Sequence, residues 1–480
     1  MKKRIPVLCL FLLLAILILS PAAAAGAPDH AAQALSEIDL FRGTDTGFDL
    51  DRAPTRREAA VMLVRLYGAE KDALSRFEAG QISHPFADAN DWSAPYIAWL
   101  YSNDLTRGMT ETSFGGSRPC SAKDYMVFLL RVLGYRDNVD FTYEQAEEFA
   151  RTAGFYDPRF YGGEFLRGDM AIMTYFALGA QKKDADDSLL EQLCRIGAIQ
   201  EEAAQTLLAE WNSEERVTFG EDGICLSETL WKNETEKNVV IRVDNGSDSL
   251  PRGQRTVELG SLLVPSEPGR LVPDHAALTQ LLQEMEQEYE RTNVPYVFDS
   301  YVKGSTPISF LRYNYALDSE LILKKLMQML WMQEEGLIDA PLYCYDWNRN
   351  RFDLSRTHIE VDIDNQQLTF VKDGAVIVTT PVVTGAIGYR QTPLGLYTAH
   401  SRETNCTLTG VDYSVFVKYW IGVIDERIGL HDASWRSAFG GDNYVYNGSH
   451  GCVNIPEAAM VQLFQTVELG TPVLIHGQYP

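Results

Sequence analysis

The chain has 480 residues, of which 45% are hydrophobic and 22% charged, a globular composition that excludes a disordered or collagen-like chain. At this length about three domains are predicted. Against 42 Lys and Arg stand 66 Asp and Glu, a formal net charge of −24, which argues against nucleic-acid binding because neutralising phosphates needs a basic face.

The chain opens MKKRIPVLCLFLLLAILILSPAAAAGAP: a basic start, an apolar run from Ile5 to Leu19, then small residues up to Ala25. That order predicts a secretory signal peptide over residues 1–25, cleaved near Ala25. Read instead as an uncleaved membrane anchor, the run lies near the short end of what spans a bilayer. Either way the remainder is expected outside the cytoplasm, in the cell wall or at the cell surface. Seven cysteines occur; Cys9 lies in the signal segment, and Cys120, Cys194, Cys225, Cys344, Cys406 and Cys452 are widely and irregularly spaced. With no CxxC pair, neither a zinc ribbon nor a dense disulfide framework is expected.

Residues 26–185 contain a repeat. TRREAAVMLVRLYG, SAKDYMVFLLRVLG and LRGDMAIMTYFALG each place an acidic residue (Glu58, Asp124, Asp169) ten positions before a glycine (Gly68, Gly134, Gly179) across an apolar helical stripe. Thr55 and Ser121 are placed to cap their helices, with Glu58 and Asp124 returning the bond, and the glycines are expected to stop them. A further helix with Trp92, Tyr96 and Trp99 along one face is predicted before the second unit. With Phe86-x-Asp88 and Thr55-Arg56-x-Glu58, the pattern resembles S-layer homology repeats, although the second and third units lack the full T-R-x-E set. The resemblance implies an all-α repeat region that attaches to a secondary cell-wall polymer; a plain helical spacer is the alternative.

Residues 186–350 predict an α+β module. Leu278, Leu281, Leu282, Met285 and Tyr289 share one face of a helix over 274–292, residues 319–336 behave likewise, and short strands joined by turns lie between them. The arrangement resembles the peptidoglycan-binding module that often precedes the catalytic domain described below; an interdomain spacer is the alternative. The stretch 211–270 yields no assignment.

From residue 351 the chain becomes mainly β. Ile359, Val361 and Ile363 alternate on one face, Asp373-Gly374 offers a hairpin turn, and Thr392-Pro393-Leu394-Gly395 suits a type I turn. Further strands over Val415 to Trp420 and TPVLIHG predict a sandwich or barrel for 351–480.

The stretch NGSHGCVNIP carries the chemistry. Asn454 is placed to N-cap a helix over PEAAMVQLFQTVELG, with Glu457 three residues on, Pro456 in the first turn and Gly470 at the end. Cys452 would then lie just outside a helix N-terminus, where the dipole favours a thiolate. A free thiol is only slightly ionised at neutral pH, so it needs a base, for which His431 and His450 are both candidates. His358, His400 and His476 read as ordinary strand residues.

His431, then seventeen residues, then Ser449-His450-Gly451-Cys452-Val453-Asn454 resembles the signature of the L,D-transpeptidases, the YkuD-type catalytic domain. THIEVDIDNQQLTFV, VVTG, TPLG, VKYW and HDASWRSAFGG match it in order over 357–477. The resemblance implies Cys452 as nucleophile, His431 as its base, Asp432 orienting that base, and Ser449, His450 and Gly451 shaping the pocket. It further implies attack on the third residue of a peptidoglycan tetrapeptide stem, release of D-alanine and a 3→3 cross-link, with Gly451 and Cys452 N–H groups as candidate oxyanion donors and no metal or cofactor. Water as acceptor would make the enzyme an L,D-carboxypeptidase. The rivals are a zinc site, whose spacing fits no common signature, papain-like hydrolases, which place cysteine first, sortases, which need a downstream arginine, and a non-catalytic cell-wall-binding protein.

Overall fold

The computed structural model describes residues 26–44, 47–212, 218–220, 223–232, 237–244, 250–345 and 354–480. The expected signal segment lies outside the described residues. Among them, no helix is long and apolar enough to cross a membrane.

The chain divides into two compact units: residues 1–238, 258–275 and 323–336 form the first, and residues 239–257, 276–322 and 337–480 the second. The first unit holds α1 (Ala27–Glu37), α2 (Arg56–Leu66), α3 (Glu70–Glu78), α4 (Ala94–Ser102), α5 (Ala122–Val132), α6 (Ala146–Thr152), α7 (Arg167–Gly179), α8 (Leu189–Arg195) and α9 (Glu201–Asn212). Thr55 and Glu58 form a reciprocal capping box on α2. On α5, Ser121 accepts the Asp124 N–H, but the Asp124 carboxylate takes the Ser121 hydroxyl at 2.8 Å. Gly68 and Gly134 end their helices with φ of +69° and +97°, the left-handed conformation that a side chain disfavours. Gly179 differs: it is the last residue of α7, and Ala180 continues the chain extended. Trp92 precedes α4 and is 59% exposed, so it does not share a buried face with Tyr96. Two of the three repeated acids have cationic partners, Glu58 taking Arg52 and Arg167 while Asp169 takes Lys324, a pair buried at both ends.

Beyond α9, β1 (Thr218–Gly220), β2 (Gly223–Ser227) and α10 (Glu228–Lys232) precede β3 (Asn238–Val243), β4 (Gly253–Glu258), β5 (Leu263–Glu267) and β6 (Arg270–Pro273). These strands form one sheet of order β1-β2-β6-β5 and, with β9 (Gly336–Asp339), another of order β4-β3-β9. The predicted helices are α11 (His275–Tyr289) and α12 (Ser319–Met332). Between them stands not a set of short strands but one long hairpin, β7 (Arg291–Ser300) and β8 (Gly304–Leu317), with β10 (Leu342–Tyr345) along β8.

Two facing sheets build the C-terminal part. The first runs β13 (Ala375–Pro381), β12 (Gln367–Lys372), β11 (His358–Asp362), β19 (Pro472–His476), β14 (Gly395–Thr398); the second runs β15 (Ser401–Thr409), β16 (Ser414–Ile424), β17 (Ile428–Asp432), β18 (Val453–Ile455). β11 pairs parallel with β19 and β17 with β18, while the other pairs are antiparallel. Ile359, Val361 and Ile363 join Leu368, Phe370, Val473 and Ile475 in one core with Leu430, Val453 and Ile455 of the second sheet. The Asp373-Gly374 turn takes φ of +51° and +80°, positive at both residues as a tight hairpin demands. Thr392 to Leu394 form no turn; they lead directly into β14.

The opposite face of β11 is buried too, although it presents His358, Glu360 and Asp362. Glu360 accepts from His476 at 2.9 Å, from Ser300 Oγ at 2.5 Å and from the Tyr301 N–H at 3.0 Å, and Lys303 bonds Asp362 at 2.9 Å. The tip of the β7–β8 hairpin thus covers charges that the alternating pattern assigns to solvent. Burial by itself would raise the Glu360 pKa, but the bonds from His476, Ser300 and Tyr301 hold it below its usual value. Its contribution to stability is therefore complete above about pH 4.5 and is lost as pH falls through the lowered folded value. Glu360→Ala is expected to destabilise the fold by about 3–5 kcal/mol, the range for breaking a buried pair, checked as a lowered guanidinium midpoint at pH 7.

Candidate active site

A cleft of about 290 Å³ opens at the end of the second sheet, lined among others by His431, Trp435, Arg436, Ser449, Cys452 and Asn454. β17 carries His431 to its floor, and the loop from Asn447 to Cys452 enters β18 beside it. Two glycines hold that loop close. A Cβ on Gly448 would stand 2.4 Å from the Ala386 backbone, and one on Gly385 would stand 1.9 Å from the Arg390 carbonyl oxygen. The close approach lets the Ala386 N–H reach the Ser449 carbonyl at 3.0 Å and the Ser449 N–H reach the Thr384 carbonyl at 2.9 Å.

His431 is 3% exposed and lies between Trp420, with ring centroids 6.0 Å apart, and Trp435, at 5.9 Å. Its Nδ1 donates to the Asp432 carbonyl at 2.8 Å, which leaves Nε2 as the basic nitrogen. Burial holds the imidazole pKa below its ordinary value, against the opposing pull of Asp432. The Asp432 carboxylate faces away, accepting the Lys418 and Tyr419 N–H groups at 2.9 and 2.8 Å. The residue after the histidine therefore touches the ring through its main chain.

Cys452 is 8% exposed, and its thiol donates to the Arg427 carbonyl at 3.6 Å. Burial pushes the thiol pKa up to about 11, with the Gly429 N–H pulling the other way. The expected helix-dipole effect does not arise, because β18 intervenes and α14 (Glu457–Thr466) begins five residues beyond Cys452. Asn454 is likewise no N-cap. Pro456 stands at the cap of α14 without a side-chain bond, and the helix gives way to extended chain at Val467 rather than at Gly470. Asn454 instead sits on β18 opposite His431, with Nδ2 3.0 Å from Nε2.

Ser449 Oγ accepts the Gly451 N–H at 3.0 Å and donates to the Cys452 carbonyl at 2.5 Å. The Gly451 N–H is thus committed to the loop and is not an oxyanion donor, a correction to the sequence reading. Gly451 takes φ of +122°, and its carbonyl accepts the Thr392 hydroxyl at 2.8 Å. His450 points to the rim, where it bonds Asp412 at 3.2 Å and packs against Tyr413. Arg390 joins the same Asp412 carboxylate at 2.6 Å.

Four side chains in and around the cleft escaped sequence reasoning. Thr392, Arg436 and Asn454 lie in the quoted motifs TPLG, HDASWRSAFGG and the cysteine signature, but the sequence assigns Thr392 only to a turn, Asn454 only to a cap and Arg436 to nothing. Tyr413 carries no signal, since nothing in its spacing places it near Cys452. Among the described residues, one group of side chains could hold a metal ion, Glu360, Asp362 and His476, whose ligand atoms come within 4.8 Å of one another. It lies on the hairpin-covered face of the other sheet, with its atoms engaged by Ser300, Tyr301 and Lys303.

Residues 356–475 match the family model of the YkuD L,D-transpeptidase catalytic domain. The catalytic domain of the Enterococcus faecium L,D-transpeptidase, solved in a form acylated by ertapenem, is 38% identical to the aligned part; the match covers 26% of this chain and 100% of that one, with a TM-score of 0.24. Residues 356–475 carry a YkuD-type L,D-transpeptidase catalytic domain. A crystal structure of a cysteine-to-serine mutant of the Enterococcus faecium L,D-transpeptidase is 25% identical, covering 50% of this chain and 95% of that one, with a TM-score of 0.29. No protein of curated function matches the chain. The family model carries the assignment, and through residues 356–475 the protein is an L,D-transpeptidase enzyme.

Proposed function

We propose that Cys452 is the nucleophile and His431 its base in a transpeptidation of peptidoglycan outside the cytoplasm, with residues 1–25 as the secretory signal. The observation that carries this is their meeting in one cleft, with His431 held by the Asp432 carbonyl in the tautomer whose Nε2 can take a proton. A thiol with a pKa near 11 is almost wholly protonated at neutral pH, so the reaction needs that base. His431 takes the proton as Sγ attacks the carbonyl of the third residue of a tetrapeptide stem, and the Cys452 N–H stabilises the oxyanion. Collapse forms a thioester, and His431 passes the proton to the amine of the departing D-alanine. An amine of a second stem then attacks the thioester and completes a 3→3 cross-link; attack by water would give the carboxypeptidase reaction.

The Enterococcus faecium catalytic domain takes an ertapenem acyl group. Incubation of this protein with ertapenem is therefore expected to add one acyl group, located at Cys452 by intact mass and peptide mapping. An adduct that persists in Cys452→Ala would sink the assignment.

We also propose that the repeats over 26–185 hold a secondary wall polymer. Supporting this, a groove of about 260 Å³ brings the exposed Trp92 together with Arg42, Arg65 and Arg167, a stacking surface beside cations. Trp92→Ala in the full chain is expected to lower retention on purified sacculi at least severalfold. Unchanged sedimentation would leave the region a spacer.

A further inference from the structure

The proposed base already has a partner within the fold. His431 Nδ1 carries its proton toward the Asp432 carbonyl, and Asn454 Nδ2 lies 3.0 Å from Nε2. The amide cannot turn over freely. Arg436 Nε donates to Asn454 Oδ1 at 2.7 Å, and because a guanidinium only donates, the oxygen faces Arg436 and the NH2 faces the imidazole. Arg436 is in turn held through Nη1 by the Asn447 carbonyl at 2.6 Å. Asn454 is 2% exposed, and its main chain is bonded in both directions to Val383, so the side chain can change without unpairing the strand. The Cys452 thiol meanwhile points at the Arg427 carbonyl. Thiol and base are each engaged elsewhere, and proton transfer requires that Nε2 be released.

The means of release lines the same cleft. Arg436 is half-buried there and is the lining residue with a fixed positive charge. A carboxylate binds a guanidinium through paired bonds in which both partners are ionised, whereas the Asn454 carbonyl oxygen offers a single neutral acceptor. An arriving carboxylate therefore displaces Asn454 from the Arg436 fork, and the freed amide can swing off Nε2.

We propose that Arg436 reads the free C-terminal carboxylate of the donor stem and that its engagement releases Asn454 from His431, so that the base is unmasked when a donor is bound. This rests on the transpeptidase reading above. Arg436 is then a specificity-determining residue and Asn454 a positioning residue. Until the donor is seated, a bystander electrophile meets a thiol without a working base.

The test uses the full chain, a tetrapeptide stem with a free C-terminal carboxylate, and the same stem as its C-terminal amide. The wild type is expected to favour the carboxylate in kcat/KM by about 10- to 150-fold, the span for a hydrogen bond to a charged group. Arg436→Gln is expected to bring the carboxylate donor down to the level of the amide donor, and Arg436→Lys to restore an intermediate preference. Asn454→Ala is expected to narrow the preference, since its base needs no carboxylate to be unmasked, and to raise the alkylation rate of Cys452 by iodoacetamide, without donor present, by about tenfold, as a base freed to hold the thiolate requires. A preference that survives Arg436→Gln, or an Asn454→Ala enzyme that alkylates no faster than the wild type, overturns the proposal. Thermal unfolding of each variant separates these effects from a lost fold. A wild type that turns over neither donor defeats the transpeptidase reading itself, and the alkylation arm, which needs no donor, still decides whether Asn454 masks the base.

Discussion

Cys452→Ala is expected to release no D-alanine from a tetrapeptide stem, while its thermal unfolding stays within about 1–2 °C of the wild type. The thiol fills a small space between Val417 and Trp420, and its hydrogen bond to the Arg427 carbonyl is long and weak, so little packing is lost with the sulfur. Everything in the proposed chemistry is lost with it, because among the described residues no other cysteine lines the cleft; Cys406, half-buried, packs against the same small cluster but does not line it. Chromatographic detection of free D-alanine measures the outcome. Turnover at the wild-type rate in this variant would remove Cys452 from the mechanism and leave the family membership without a nucleophile.

The second large effect belongs to the base. His431→Ala is expected to lower kcat/KM by about 10²–10⁴-fold, the usual worth of a positioned general base. The loss should shrink as pH rises. The wild-type imidazole has its pKa depressed by burial, so it remains a neutral base down to below its ordinary range, whereas the variant must rely on spontaneous ionisation of a thiol whose pKa is near 11. Between pH 7 and pH 10 the variant's rate should therefore climb about tenfold per pH unit while the wild type stays nearly flat. A pH profile of both enzymes checks this, and parallel profiles would show that His431 is not the proton acceptor.

These results depend on residues with very different visibility in the chain. Cys452 and His431, the proposed nucleophile and base, stand out in the sequence through the ordered series of motifs that resembles the L,D-transpeptidase signature. The strands that carry them were legible as well, since alternation of Ile359, Val361 and Ile363 and the Asp373-Gly374 turn express local physics. Asn454 was misread for the same local reason: followed by Pro456 and Glu457 it has the composition of a cap, and only the parallel pairing of β18 with β17 turns its amide toward His431 instead. The Cys452 environment was misjudged similarly. A sequence shows the distance to a helix along the chain, but not the burial that dominates the thiol's ionisation.

What the sequence by itself determined is the raw material: the histidine and the cysteine proposed as base and nucleophile, the alternating strand and hairpin turn near the start of their domain, and the catalytic-domain family that residues 356–475 match. Tertiary structure alone decided which groups surround them. Arg436 reaches Asn454 across 18 positions and Thr392 reaches Gly451 across 59, while Glu360 meets His476 across 116. The physical reason is that local propensities act over one turn or one strand, whereas hydrogen bonds among buried polar groups are satisfied by whatever neighbours the closed sheets bring within about 3 Å. Ionisation, tautomer and the masking of a base follow from those neighbours, and so they come into being only when the two sheets have packed.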